Sequence, residues 1–157
     1  MTEDEIIRFA AGLPGVEVLT ASESNGAPPI AWGDSFLFYN PDRDVPADKR
    51  FPFATIVTKD YGGFDEASKL DREGVFRLNV SVGRQRFQEL IGYSPAEHPG
   101  HAADFDYAAI DKVLPHPAYA KQAWVSILKP GTRTSEQARA LISEAQRRAA
   151  VRHRPRR

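Results

Sequence analysis

At 157 residues the chain is long enough for one domain with a buried core, and its 41% hydrophobic and 10% aromatic content is that of an ordinary globular protein. The absence of cysteine excludes disulfides, thiolate zinc sites and cysteine nucleophiles. The formal net charge of zero hides an uneven distribution: Arg147 to Arg157 holds six arginines and no acid, while the other 146 residues carry 15 basic and 21 acidic side chains.

The start, Met1-Thr2-Glu3-Asp4-Glu5, is acidic and lacks the basic-then-apolar order of a secretory signal. No apolar run approaches the roughly 20 residues of a membrane span. A cytoplasmic protein without a membrane partner is expected. Thr2 and Glu5 form a capping box for a first helix, with Ile6, Phe9, Ala10 and Leu13 at helical spacing and Leu13-Pro14-Gly15 as its stop. A short strand over Val16 to Leu19 and a loop from Ser22 to Pro29 follow. Strands are expected over Trp32 to Tyr39, Phe53 to Thr58 and Val75 to Val82, with a Gly62-Gly63 loop before the third. A short helix runs from Arg84 to Ile91 and stops at Gly92.

Tyr93 to Asp104 reads as a loop, Tyr107 to Leu114 is ambiguous, and Ala123 to Leu128 is a further strand. Thr134 with Gln137 gives a second capping box, and Ala138, Leu141, Ile142, Ala145 and Ala149 make one apolar stripe on a closing helix. No long helices interleave the strands, so the pattern predicts an α+β domain with an antiparallel sheet and helices at both ends. The domain spans residues 1–151, with 152–157 as a basic tail.

Gly74 to Gly83 carries the most chemistry. Its even positions are apolar and its odd positions include Arg77, Asn79 and Ser81, so one strand face joins a core while the other presents a guanidinium, an amide and a hydroxyl. A half-buried arginine needs a partner, either a carboxylate (Asp34, Asp60 or Asp65) or a bound anion. Asp60 and Asp65 flank Gly62-Gly63, where turn chemistry with both acids bonding backbone amides is expected. In Leu114-Pro115-His116-Pro117-Ala118-Tyr119 two prolines hold His116 extended. That geometry serves either a binding histidine or a rigid corner. His98-Pro99-Gly100-His101 with Asp104, Asp106 and His116 has metal-ligating residue types, but a Pro-Gly turn splits the histidines. Surface histidines are expected there, with no metal and no cofactor. Neither a Gly-x-Ser-x-Gly elbow nor a dinucleotide fingerprint is present.

Trp32-Gly33-Asp34-Ser35-Phe36, Pro52-Phe53-Ala54-Thr55, Phe64-Asp65, Phe76-Arg77-Leu78-Asn79 and Pro115-His116-Pro117-x-Tyr119 with Trp124-Val125 together resemble an uncharacterised, mainly actinobacterial family. That likeness covers nearly the whole chain and implies no activity. The layout is also distantly similar to MmcQ/YjbR proteins, in Leu13-Pro14-Gly15 after the first helix, Pro117-x-Tyr119 before a strand bearing Trp124, and a capped last helix. This second resemblance implies a CyaY-like α+β fold with a curved antiparallel sheet. It also implies a resistance-type role in binding DNA or drugs that attack DNA. The chain departs from that pattern in its long Ser94 to Ala109 insertion and in lacking a lysine-rich sheet face.

These observations point to a non-enzymatic binding protein for a small molecule or anion. Arg77 and Asn79 would supply polar contacts, Trp32, Tyr119 and Trp124 flat apolar ones, and His116 an adjustable hydrogen bond. A nucleic-acid binder using the sheet face and Arg152, Arg154, Arg156 and Arg157 is the first alternative. An acid–base enzyme pairing His116 with Asp60 or Asp65 is the second.

Overall fold

The computed structural model describes residues 1–155. Six strands, β1 (Val16–Thr20), β2 (Ser35–Tyr39), β3 (Ala54–Val57), β4 (Arg77–Ser81), β5 (Val113–Pro115) and β6 (Trp124–Leu128), form one open sheet in the order β1-β2-β3-β4-β6-β5. Every neighbouring pair is antiparallel. Three α-helices among the described residues complete the α+β fold: α1 (Glu3–Ala11), α2 (Arg84–Ile91) and α3 (Ser135–Arg152). Among the described residues no helix is long and apolar enough to cross a membrane.

Alternation along each strand gives the sheet two unlike faces. Leu37, Ala54, Ile56, Leu78, Val80, Val125 and Ile127 point one way and are buried beneath Ile6 and Ala10 of α1 and Ala138, Leu141, Ile142 and Ala145 of α3. Phe87 of α2 and Tyr93 extend the same core. The α1 capping box forms as expected, with the Glu5 amide on Thr2 Oγ1 at 3.1 Å and the Thr2 amide on Glu5 Oε1 at 3.3 Å. Gly15 then turns the chain at φ +70, where a Cβ would lie 2.6 Å from the Tyr39 ring, so only glycine fits.

Several expectations need correction. Trp32 does not open a strand: Pro28 and Pro29 start a 3-10 turn over Pro29–Ala31, and Gly33 at φ +90 ends it, so β2 begins only at Ser35. The capping box at Thr134 does not form. Asp111 arrives from the other side and accepts from the amides of Gly131, Arg133 and Thr134 at 2.8, 3.1 and 3.0 Å, taking the Thr134 hydroxyl as a further donor. A carboxylate is the stronger acceptor, and the Thr134 hydroxyl and these amides lower its pKa to about 2. His98 is buried rather than superficial, with Nδ1 2.7 Å from the Tyr93 hydroxyl. The ambiguous segment ends in the edge strand β5.

Candidate functional site

The second sheet face is covered at one end only. There the 58–75 segment folds over Val57, Leu114 and Leu128 and buries Leu70 and Val75 against them. Asp34, itself fully buried, anchors this segment by accepting from the Thr58 amide at 2.9 Å, the Thr58 hydroxyl at 3.0 Å and the Tyr61 hydroxyl. Burial and the Asp34 carboxylate together push the Tyr61 phenol pKa upward, which keeps it a donor. Beyond Tyr61 a tight reversal through Gly62-Gly63 pairs Tyr61 with Asp65, lifting Phe64 to the surface and turning Asp65 inward.

Asp65 meets Arg77 there. The guanidinium donates from Nη1 and Nη2 to the two Asp65 oxygens at 2.9 and 2.6 Å, from Nη1 to Ser68 Oγ at 2.7 Å, and from Nε to Asn79 Oδ1 at 2.7 Å. Arg77 is 1% exposed, so the partner anticipated for it is internal and is Asp65. Burial alone would raise the Asp65 carboxyl, but the Arg77 hydrogen bonds and charge outweigh it and hold the group below its ordinary value. Asp60 instead accepts from the Leu70 amide at 3.0 Å. The sheet register sets Asn79 between Thr55 and Ser126, two hydroxyl side chains on the same face. Ser126 Oγ donates to Asn79 Oδ1 at 2.8 Å and Asn79 Nδ2 donates to Thr55 Oγ1 at 3.0 Å.

Beside this network the Pro-His-Pro-x-Tyr sequence makes a compact corner. β5 ends at Pro115, and the chain turns so that the amides of Ala118 and Tyr119 donate to His116 Nδ1 at 2.9 and 3.0 Å. The imidazole is 3% exposed and packs between Tyr119, at 4.9 Å between ring centroids, and Trp124, at 6.3 Å. Burial, reinforced by the Arg77 charge and opposed by the Asp65 carboxylate, lowers the His116 pKa to about 3. The ring is therefore neutral at physiological pH. No hydrogen bond joins it to Asp60 or Asp65 among the described residues.

The uncovered end of this face is a cavity of about 700 Å³. Thr55, Asp65, Arg77, Asn79 and His116 make its polar floor, and Phe36, Phe51, Pro52, Val57, Tyr61, Phe64, Tyr119, Gln122 and Trp124 its walls and rim. Phe51 and Phe64 are 86% and 62% exposed. The rings of Phe64 and Tyr119 stand 5.9 Å apart across the mouth. The structure thus brings together Arg77, Asn79, His116, Tyr119 and Trp124. Trp32 stands apart, its indole N–H on the Ala27 carbonyl at 2.8 Å. Phe51, Phe64 and Thr55 also line the cavity, which the sequence signals only through an aromatic ring in a Gly-Gly turn and another before a proline, both marks of unburied apolar surface.

The model of the family of unknown function DUF6194 matches this sequence over residues 1–157. The chain belongs to that family. No curated protein and no solved structure gives a significant match, so the MmcQ/YjbR likeness finds no support in these comparisons. The DUF6194 family has no assigned function, so membership brings no chemistry to the site. Among the described residues no group of three or more histidine, aspartate or glutamate side chains is placed to hold a metal ion. Arg152 closes α3 and Arg154 follows it, both outside the cavity, while Arg156 and Arg157 lie outside the described residues.

Proposed function

We propose that the cavity is a binding cleft for a small, largely apolar molecule that is held and not transformed. The carrying observation is the contrast between its parts: aromatic rings left exposed at the mouth, above a floor whose polar groups are buried and locked by one another. Exposed rings around a concave site bury area on binding at little conformational cost. Among the described residues the floor supplies no free base, since His116 Nδ1 is occupied by two amides and Asp65 by Arg77. An acid–base reaction through His116 is disfavoured on that ground. Sequestration of a toxic compound is one role such a binder would fill.

The uncharged fluorophore N-phenyl-1-naphthylamine tests this reading. Saturable, blue-shifted emission is expected, weakened about tenfold in Phe64→Ala/Tyr119→Ala, where two exposed rings are lost and the core is untouched. Absence of saturable binding, or equal binding by the variant, would remove the proposal.

A second reading has one observation behind it. Lys49, Arg50, Arg152 and Arg154 line a groove of about 520 Å³ that shares Phe51 with the cleft. Cationic side chains leading to an exposed ring suit a single-stranded nucleic acid. Affinity for an oligonucleotide that falls steeply with salt and disappears on Arg152→Ala/Arg154→Ala would support it.

A further inference from the structure

The hydrogen-bonding groups left spare on the cleft floor are mostly donors. Arg77 Nε–H reaches Asn79 at 2.7 Å, which fixes the amide oxygen on that side, and Ser126 Oγ adds a second donor to the same oxygen at 2.8 Å. One Asn79 N–H goes to Thr55 Oγ1, and the other has no partner among the described residues. His116 is fixed in the same way. Two backbone amides hold Nδ1, so the proton of the neutral ring sits on Nε2, which makes no hydrogen bond among the described residues. Arg77 uses four of its five N–H groups and keeps one on Nη2. Thr55 accepts from Asn79 and keeps its hydroxyl proton.

The acceptors on these residues are by contrast engaged. Both Asp65 oxygens, Asn79 Oδ1, His116 Nδ1 and Thr55 Oγ1 each receive at least one donor. Charge is balanced as well, because among the described residues Arg77 and Asp65 are the only formally charged side chains lining the cavity and they are joined by two hydrogen bonds. An anion would meet a guanidinium already neutralised, and a cation a carboxylate already neutralised.

Resting on the binding-cleft reading, we infer that the ligand is a flat, uncharged ring system whose inner edge carries a hydrogen-bond acceptor such as a carbonyl oxygen or an unprotonated ring nitrogen. The rim supplies stacking surface, and the floor supplies spare donors aligned by fixed partners. Such a ligand satisfies buried N–H groups that would otherwise be desolvated without a partner, which is where binding discriminates most strongly between near-isosteres.

Displacement of N-phenyl-1-naphthylamine from the wild-type protein by fluorene, 9-fluorenone and fluorene-9-carboxylate tests this. The first two share one planar skeleton and differ by a carbonyl. Transfer from water to an apolar site favours the hydrocarbon, so a preference for the ketone has to come from hydrogen bonds. The expected result is 9-fluorenone competing about tenfold more tightly than fluorene, with the carboxylate weaker than the ketone. Equal competition by fluorene and 9-fluorenone would overturn the inference and leave the cleft standing. The carboxylate binding tightest would overturn it by showing a guanidinium open to anions. If the fluorophore itself does not bind, the cleft reading fails and this inference fails with it.

Discussion

The two faces of the sheet use the same strands for different physical ends. On the helix-covered face Leu37, Ala54, Ile56, Leu78, Val80, Val125 and Ile127 form one apolar cluster with α1 and α3, so burial of hydrocarbon supplies most of the stability there without directional demands. On the other face Arg77, Asn79 and Ser126 are as deeply buried, each about 1% exposed, yet each depends on a partner at hydrogen-bond distance. A buried ion pair is a poor source of stability, because desolvation offsets most of its attraction. What it supplies is fixed orientation. The apolar face holds the fold together, while the polar face holds donors still beneath an aromatic mouth.

Four changes break or sharpen this contrast, the most damaging first. Asp65→Ala leaves Arg77 buried with an unpaired charge and is expected to cost about 3–5 kcal/mol in denaturant unfolding. A loss under about 1 kcal/mol would mean the guanidinium has a solvated alternative. Leu78→Ala, one residue along on the opposite face, opens a cavity in the helix-covered core and should cost about 3 kcal/mol, with fluorophore binding kept in the folded protein.

His116 makes the contrast sensitive to pH. Burial holds its folded pKa near 3, below the ordinary 6.5, so the unfolded chain binds a proton that the folded chain refuses. Its contribution is complete above pH 6.5 and is lost as pH falls towards 3. About 2 kcal/mol should be gone by pH 5. His116→Gln, whose carbonyl can still accept the two amides, should flatten that acid limb, and the His116 ring resonance should not titrate above pH 5. A titration midpoint near 6.5 would contradict this. Phe64→Ala is the mildest change: within about 0.5 kcal/mol of the wild type in stability, but with weaker fluorophore binding.

How much of this was legible in the sequence depends on the range of the interaction. The alternation across Gly74 to Gly83 placed Leu78 and Val80 on one face and Arg77 and Asn79 on the other, because pleating is a local rule. The helices at Thr2, Arg84 and Ser135 were legible for the same reason. Asp111, which ties down the start of α3, was not, since its partners lie 20 to 23 residues away and leave no local pattern. The turn residues around His98 predict a surface position, and only the folded chain brings the Tyr93 hydroxyl to its ring. In the site, the sequence named Asp65 among three carboxylates for Arg77, but only the reversal at Gly62-Gly63 chooses it. Trp32 looked like a cleft residue because strand alternation was extended past Asp34, through a turn that two prolines and Gly33 impose.

Whether the ion pair orients donors or supports the fold is decided by Arg77→Met, Asp65→Leu and the double variant, compared in both denaturant unfolding and fluorophore competition. If the ion pair exists to orient donors, each single variant is destabilised and the double one recovers wild-type stability or gains about 1–4 kcal/mol. Without Arg77 the floor loses the spare Nη2 donor and one of the two groups that fix the Asn79 amide, so the preference for 9-fluorenone over fluorene weakens while the His116 Nε2 donor remains. A double variant that stays as unstable as the single ones, or one whose ketone preference is undiminished, would contradict this by making the network a support for the fold.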